Sequence, residues 1–169
     1  EDTYVIGHVG RFHYAKNHEY LIFVFAELLK SHNQDYRLLL LGEGEGVAGI
    51  RQLVKKIQIE DKVIFAGNKA NVYDYYQAMD YFVYPSRYEG LPGTVVEAQT
   101  AGLRCLMSDT ICKEVAVTDL VKTMSIEDAP KTWAEMIQKT KDYDRVSFLR
   151  KMQESGFDVH GQAVIMQKF

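Results

Sequence analysis

The chain has 169 residues, of which 47% are hydrophobic and 25% charged, and a formal charge of −3. That length fits a single domain with one substantial core, and the composition argues against a disordered tail. The small negative charge excludes a general nucleic-acid footprint, and the longest apolar runs, Tyr20–Leu29 and Leu38–Leu41, are well short of the roughly 20 residues that a membrane span needs.

Val5–Val9 reads as a first strand ending at Gly10, followed by the loop Arg11-Phe12-His13-Tyr14-Ala15-Lys16. Leu21–Phe25 alone would pass for a strand. Asn17 as a cap, Glu19 early, and Glu27 and Lys30 later favour instead a buried helix ending near Ser31–Asn33. Arg37–Leu41 is the second strand, the glycine-rich turn Gly42-Glu43-Gly44-Glu45-Gly46 follows, and Val47–Ile57 is a helix with Leu53, Val54 and Ile57 inward. Val63–Ala66 predicts a third strand, with the loop Gly67-Asn68-Lys69-Ala70 after it. The aromatic-rich segment Val72–Met79 is a short helix expected to pack on the sheet. Tyr81–Tyr84 is the fourth strand, and Gly93–Ala101 is its helix, opened by Pro92 and stopped by Gly102. Leu103–Met107 and Val121–Met124 complete the strands. Helices are then expected from Pro130 to about Tyr143, over Asp144–Ser155 and over Gln162–Phe169, the last as a docking helix. Strands alternating with helices predict an α/β domain with a six-stranded parallel sheet wound in the Rossmann manner, spanning residues 1–169 as one unit.

Cys105 and Cys112 fall on a strand and in the loop after it, and both are expected as reduced thiols. There is no secretory apolar region and no Asn-x-Ser/Thr sequon, so the default compartment is the cytoplasm. The chain begins at Glu1 and enters a strand almost at once, which predicts a piece of something longer.

The stretch with most chemistry runs from Tyr84 to Ala98. Glu89 lies in its turn and Glu97 about one turn inside the helix, with seven residues between them. A helix start offers free N–H groups, here those of Gly93 and Thr94, to a phosphate, and a carboxylate suits a pair of hydroxyls. Paired acids also fit glycoside hydrolysis, although a helix start between them suits phosphate better. Arg11 and Lys16 flank the first strand–helix turn, which the Rossmann topology places next to the fourth; two cations there could converge on a diphosphate. Gly44-Glu45-Gly46-Val47-Ala48-Gly49 matches a dinucleotide fingerprint, but Glu43 and Glu45 would set negative charge against a pyrophosphate. No acidic residue follows the next strand to hold a ribose, so the glycines are assigned to the turn. His8, His13 and His18 have no defensible metal spacing and are read as core or surface histidines.

Taken together, Tyr88–Leu103 resembles the Glu-x7-Glu signature of the retaining GT-B glycosyltransferases. Gly10-Arg11 with Lys16-Asn17 resembles that family's Gly-Arg…Lys element, and Gly42-Glu43-Gly44, Val63–Gly67 and Ala78–Ser86 follow in order. The similarity is greatest to the bacterial group that builds capsular, exopolysaccharide or lipopolysaccharide chains. The resemblance implies one half of a GT-B fold, the C-terminal domain that binds the nucleotide diphosphate-sugar donor, with an N-terminal acceptor domain absent from this chain. It implies that Arg11 and Lys16 bind the donor diphosphate, with Leu91 and the N–H groups of Gly93 and Thr94 beside it. Glu97 would then accept from the ribose hydroxyls, the loop carrying Lys69 would border the base, and Glu89 would be the catalytic residue nearest the transferred sugar. No metal or other cofactor is implied, since cations and a helix end take that place. The implied acceptor is a glycan or lipid-linked glycan, with membrane contact at most peripheral, at the inner face of the plasma membrane and through the absent half. The family's common Gly-Phe-Gly-Leu-Pro after the first glutamate is replaced here by Gly90-Leu91-Pro92-Gly93. A nucleotide-sugar epimerase or hydrolase of the same plan and a non-catalytic nucleotide-binding domain are the other readings.

Overall fold

The structure is a computed structural model and describes residues 3–31 and 34–157. Its six strands, β1 (Thr3–Val9), β2 (Asp35–Leu41), β3 (Val63–Gly67), β4 (Tyr81–Tyr84), β5 (Arg104–Ser108) and β6 (Val121–Met124), form one sheet in the order β3-β2-β1-β4-β5-β6. Every pairing is parallel. The helices are α1 (His18–Leu29), α2 (Val47–Lys56), α3 (Val72–Gln77), α4 (Gly93–Thr100), α5 (Pro130–Thr140) and α6 (Leu149–Glu154).

The sheet is covered on both faces, and β4 shows how alternation assigns them. Tyr81 and Val83 join a core with Leu21, Phe25 and Leu28 of α1 and Trp133 and Ile137 of α5. Phe82 and Tyr84 point the other way, into a core with Tyr76 of α3 and Val95 and Ala98 of α4. All four β4 side chains are fully buried, which is why this stretch reads as an unbroken apolar run. Of the aromatics expected to pack α3 on the sheet, Tyr76 does so, edge-on to Phe82 at 5.8 Å between ring centroids, whereas Tyr73 faces solvent. The two cysteines are free thiols, Cys105 buried and Cys112 exposed. No described helix is long and apolar enough to cross a membrane.

The last third departs from the expected helices. α5 stops at Thr140, and α6 begins only at Leu149. Between them the chain runs as a strap whose side chains serve carbonyls at the ends of α3 and α4. Arg145 donates to the carbonyls of Ala101 at 3.0 Å, Met79 at 2.6 Å and Tyr76 at 2.8 Å. The Tyr143 hydroxyl lies 3.2 Å from the carbonyls of both Asp80 and Gly102. Helix ends leave unpaired carbonyls, and satisfying them keeps residues 141–148 out of a helix, a demand that no local periodicity signals. The expected helix over Gln162–Phe169 lies outside the described residues.

Gly102 shows how tightly the strap is seated. It has φ of +76°, and a Cβ there would stand 2.2 Å from the carbonyl oxygen of Val146. Gly102→Ala should therefore cost about 2–3 kcal/mol, from the left-handed backbone and the main-chain clash together. Gly49, inside α2, is the control: a Cβ there would meet nothing within 4 Å, so Gly49→Ala should stabilise the helix by about 0.5–1 kcal/mol. Urea unfolding of both variants checks the pair; equal midpoints would refute the seating of the strap.

Candidate functional site

Because β1 and β4 are neighbours, the sheet order reverses between them and the loops that follow leave side by side at the C-terminal edge. Such a reversal opens a crevice where ligands of open α/β sheets bind. The two loops are stitched together: the N–H of Arg87 donates to the carbonyl of Ala15 at 2.7 Å, and its Nη2 donates to Oδ1 of Asn17 at 2.8 Å. Asn17 takes the left-handed conformation, φ 55°, and makes no side-chain cap to α1. Asn17 thus stands at the N-cap position of α1, as expected, but its side-chain amide is spent on Arg87 instead of on the helix.

Lys16 projects into this crevice. Its Nζ lies 2.6 Å from Oε1 of Glu89, with side-chain exposures of 17% and 19%, and it also donates to the hydroxyl of Tyr84. Burial opposes the charge on Lys16, but the hydrogen bonds to Glu89 and Tyr84 outweigh it and leave its pKa above the ordinary value. Gly10 makes room for the stem, because a Cβ there would sit 3.3 Å from Cδ and Cε of Lys16.

Glu97, on the second turn of α4, stands apart from this pair. Its Oε2 accepts from the hydroxyl of Tyr76 at 2.8 Å, and the residue is otherwise exposed. At the start of α4 the N–H groups of Gly93 and Thr94 have no carbonyl one turn back to bond, and a Cβ on Gly93 would meet nothing within 4 Å. Leu91, just before, is 55% exposed. Oγ1 of Thr94 is buried without a partner among the described residues.

Arg11 and Lys16 are paired with different carboxylates, Glu45 and Glu89. Arg11 reaches Oε2 of Glu45 at 3.4 Å, with both side chains largely exposed. It also lines a cavity of about 370 Å³ with Gly10, Gly42, Glu43, Asn68 and Lys69, walled by Val9, Leu41 and Val72. The glycines of the second turn serve close approach to the protein's own backbone. A Cβ on Gly42 would stand 2.2 Å from the carbonyl oxygen of Gly10, and one on Gly44 2.5 Å from that of Phe12. The first turn is bonded to this second turn through Phe12 N–H to Glu43 and Gly46 N–H to Phe12, at 2.9 and 3.0 Å. Sequence reasoning did not single out Tyr76, Tyr84 or Arg87. Their signals, a tyrosine one turn after Val72, one closing β4 and an arginine just beyond it, become meaningful only once β1 is known to lie beside β4.

The family model for glycosyl transferases group 1 matches residues 1–156, and the chain belongs to that family. EpsF of Bacillus subtilis (strain 168), which carries a glycosyltransferase name, is 37% identical over 139 residues, covering 82% of this chain and 36% of EpsF. The capsular polysaccharide biosynthesis glycosyltransferase CapH of Staphylococcus aureus is 32% identical over 142 residues, covering 78% of this chain and 38% of CapH. The chain thus spans little more than a third of the length of these curated relatives. Among solved structures, the pneumococcal O-GlcNAc transferase GtfA, in complex with UDP and GlcNAc, superposes over 98% of this chain and 34% of GtfA with a TM-score of 0.78 at 15% identity, a likeness of fold.

Beneath Lys16 lie the histidines. His8 is fully buried, its Nδ1 donating to the carbonyl of Val83 at 2.9 Å, and its ring meets that of His18 edge-on at 4.7 Å. His18 stacks on Phe12 at 4.0 Å. Burial, with Lys16 as a further cause, lowers the pKa of His8 to about 4; burial, His8 and Lys16 lower that of His18 to about 2. Both are neutral core groups. Because their folded pKa values lie below the unfolded one, near 6.5, the unfolded chain takes up protons first as pH falls. Stability should be fully present above pH 6.5 and decline from there toward pH 4, by on the order of 1–2 kcal/mol per histidine between pH 7 and 5. Urea midpoints at the two pH values measure the decline, and His18→Phe should shrink it; an unchanged decline would refute the buried neutral state.

Proposed function

We propose that this chain is the donor-binding half of a retaining glycosyltransferase, one that moves a sugar from a nucleotide diphosphate to a glycan or lipid-linked acceptor in surface-polysaccharide assembly. The observation that carries the reading is the company of Lys16: a half-buried ammonium between Glu89 and Tyr84, in the crevice between β1 and β4, with an open helix start nearby on α4. An ammonium has three protons. Glu89 and Tyr84 take two, and the third is free for a phosphate oxygen without breaking the pair.

In this reading Lys16, Arg11 and the N–H groups of Gly93 and Thr94 hold the diphosphate and offset the charge that grows on it as the sugar departs, a role that a fixed, partly dry site performs better than water. The third proton and the helix start supply the cationic character with no metal. Glu97 accepts from the ribose hydroxyls with its outer oxygen. The base occupies the cavity between Arg11, Asn68 and Lys69, and Leu91 covers the diphosphate from the loop. Glu89, fixed by Lys16, lies against the transferred sugar and is the catalytic residue. The acceptor is held by a second domain of the full-length protein, consistent with CapH, a relative roughly twice as long as this chain that is named for capsular polysaccharide biosynthesis.

Calorimetry with UDP, GDP and ADP tests the reading. At least one should bind at or below millimolar concentration, and Arg11→Ala, Lys16→Ala and Glu97→Ala should each weaken it about tenfold, the loss of one charge-assisted hydrogen bond. Glu89→Gln, which keeps an acceptor for Lys16 while removing the charge that faces the sugar, should leave nucleotide affinity within about twofold. Absence of heat with all three nucleotides at millimolar levels would overturn the assignment, and unchanged affinity in Arg11→Ala and Glu97→Ala would overturn those two roles.

A further inference from the structure

We infer that Tyr76 is a positioning residue for ribose recognition, holding Glu97 in the one orientation that presents its free oxygen to the nucleotide; this rests on the reading above that Glu97 takes the ribose. Tyr76 is 1% exposed and belongs to the core beneath α3 and α4. The hydroxyls of Tyr4 and Tyr143 reach main-chain carbonyls and that of Tyr81 reaches Thr140. The Tyr76 hydroxyl instead lies 2.8 Å from Oε2 of Glu97 and 3.2 Å from the carbonyl of Thr94. Its single proton goes chiefly to the carboxylate, the closer and charged acceptor. The burial of Tyr76, then Glu97, raises its pKa, so the hydroxyl keeps that proton as a donor.

What this does to Glu97 follows from geometry. A glutamate on an exposed helix face samples several rotamers, and freezing one on binding weakens affinity. With Oε2 committed to a buried hydroxyl, Oε1 has no hydrogen bond to the described residues and is left as the open acceptor. Thr94 and Glu97 are three residues apart on α4 and so share a face. One hydroxyl therefore touches both the turn proposed to cradle phosphate and the carboxylate proposed to take the ribose. On α3, Val72 and Tyr76 are four apart and also share a face. Val72 walls the cavity proposed for the base, and Tyr76 braces Glu97 one turn below. The end of α3 is itself fixed by Arg145, which donates to the carbonyls of Tyr76 and Met79. A short helix thus ties the proposed base cavity to the proposed ribose carboxylate, and Arg145 of the strap holds the end of that helix in place.

The test compares the tightest of UDP, GDP and ADP with its 2′,3′-dideoxy counterpart by calorimetry. The parent chain should prefer the ribonucleotide at least tenfold. Tyr76→Phe, which deletes one oxygen, should weaken the ribonucleotide three- to tenfold and leave the dideoxy form within about twofold. On a Glu97→Ala background the same change should have no further effect. Equal weakening of both nucleotides, or a preference undiminished in Tyr76→Phe, would overturn the inference and leave Tyr76 a packing residue. A parent chain with no preference would instead overturn the ribose role of Glu97 on which the inference rests. A thermal melt of Tyr76→Phe separates lost binding from lost fold, and should the variant melt below the assay temperature, the titrations are run below its midpoint with the same expected outcomes.

Discussion

The site depends on the reversal of strand order between β1 and β4. Up to that point successive crossovers move outward to β2 and β3; beyond it they move outward the other way, to β5 and β6. The loop after β1 and the loop after β4 therefore diverge to helices on opposite faces, and a gap remains between them that neither can close. Every element of the candidate site borders that gap or the two turns next to it. Lys16 comes from one loop and Glu89 from the other, so their ion pair spans the divide, and the Arg87 bonds to Ala15 and Asn17 keep the two loops from parting.

The pair is itself a balance of opposing terms. Taking an ammonium largely out of water is unfavourable, and a buried ion pair often returns no more than it costs. Lys16 retains its charge because it has two partners and because Glu89 is equally half-sheltered. Removing one partner would leave the other charge poorly solvated, so the arrangement is better understood as a device for fixing a cation in place than as a source of stability. The neutral histidines below reinforce this: kept uncharged by burial, they add no repulsion to the ammonium above them.

Much of this was legible in the chain. The alternation of strand and helix, the unbroken apolar run of β4 and Gly102 as a helix stop fixed the α/β order, and the glutamates around Pro92 pointed to the C-terminal edge of β4. Three things were not legible. Asn17 looks like a cap but bonds Arg87, a partner 70 residues away. Residues 141–148 have helical spacing but are kept out of a helix by their bonds to carbonyls of distant helices. Tyr76 reads as one of several aromatics packing α3 on the sheet, and only the packing of α3 on α4 turns it toward Glu97. In each case a side chain answers a polar group brought near by the fold, and local pattern has no access to that.

The two cations of the first loop also show why a net charge of −3 does not oppose binding of an anion. Arg11 is exposed and its contact with Glu45 is long, so solvent and salt screen it and a diphosphate can take the guanidinium at little cost. Lys16 is sheltered and already fixed, and has a proton to spare. One cation is therefore free to move while the other is held in place. The acids of the second turn, which argue against a dinucleotide at Gly44–Gly49, fit this division: Glu45 meets Arg11 only at 3.4 Å and with both side chains largely exposed.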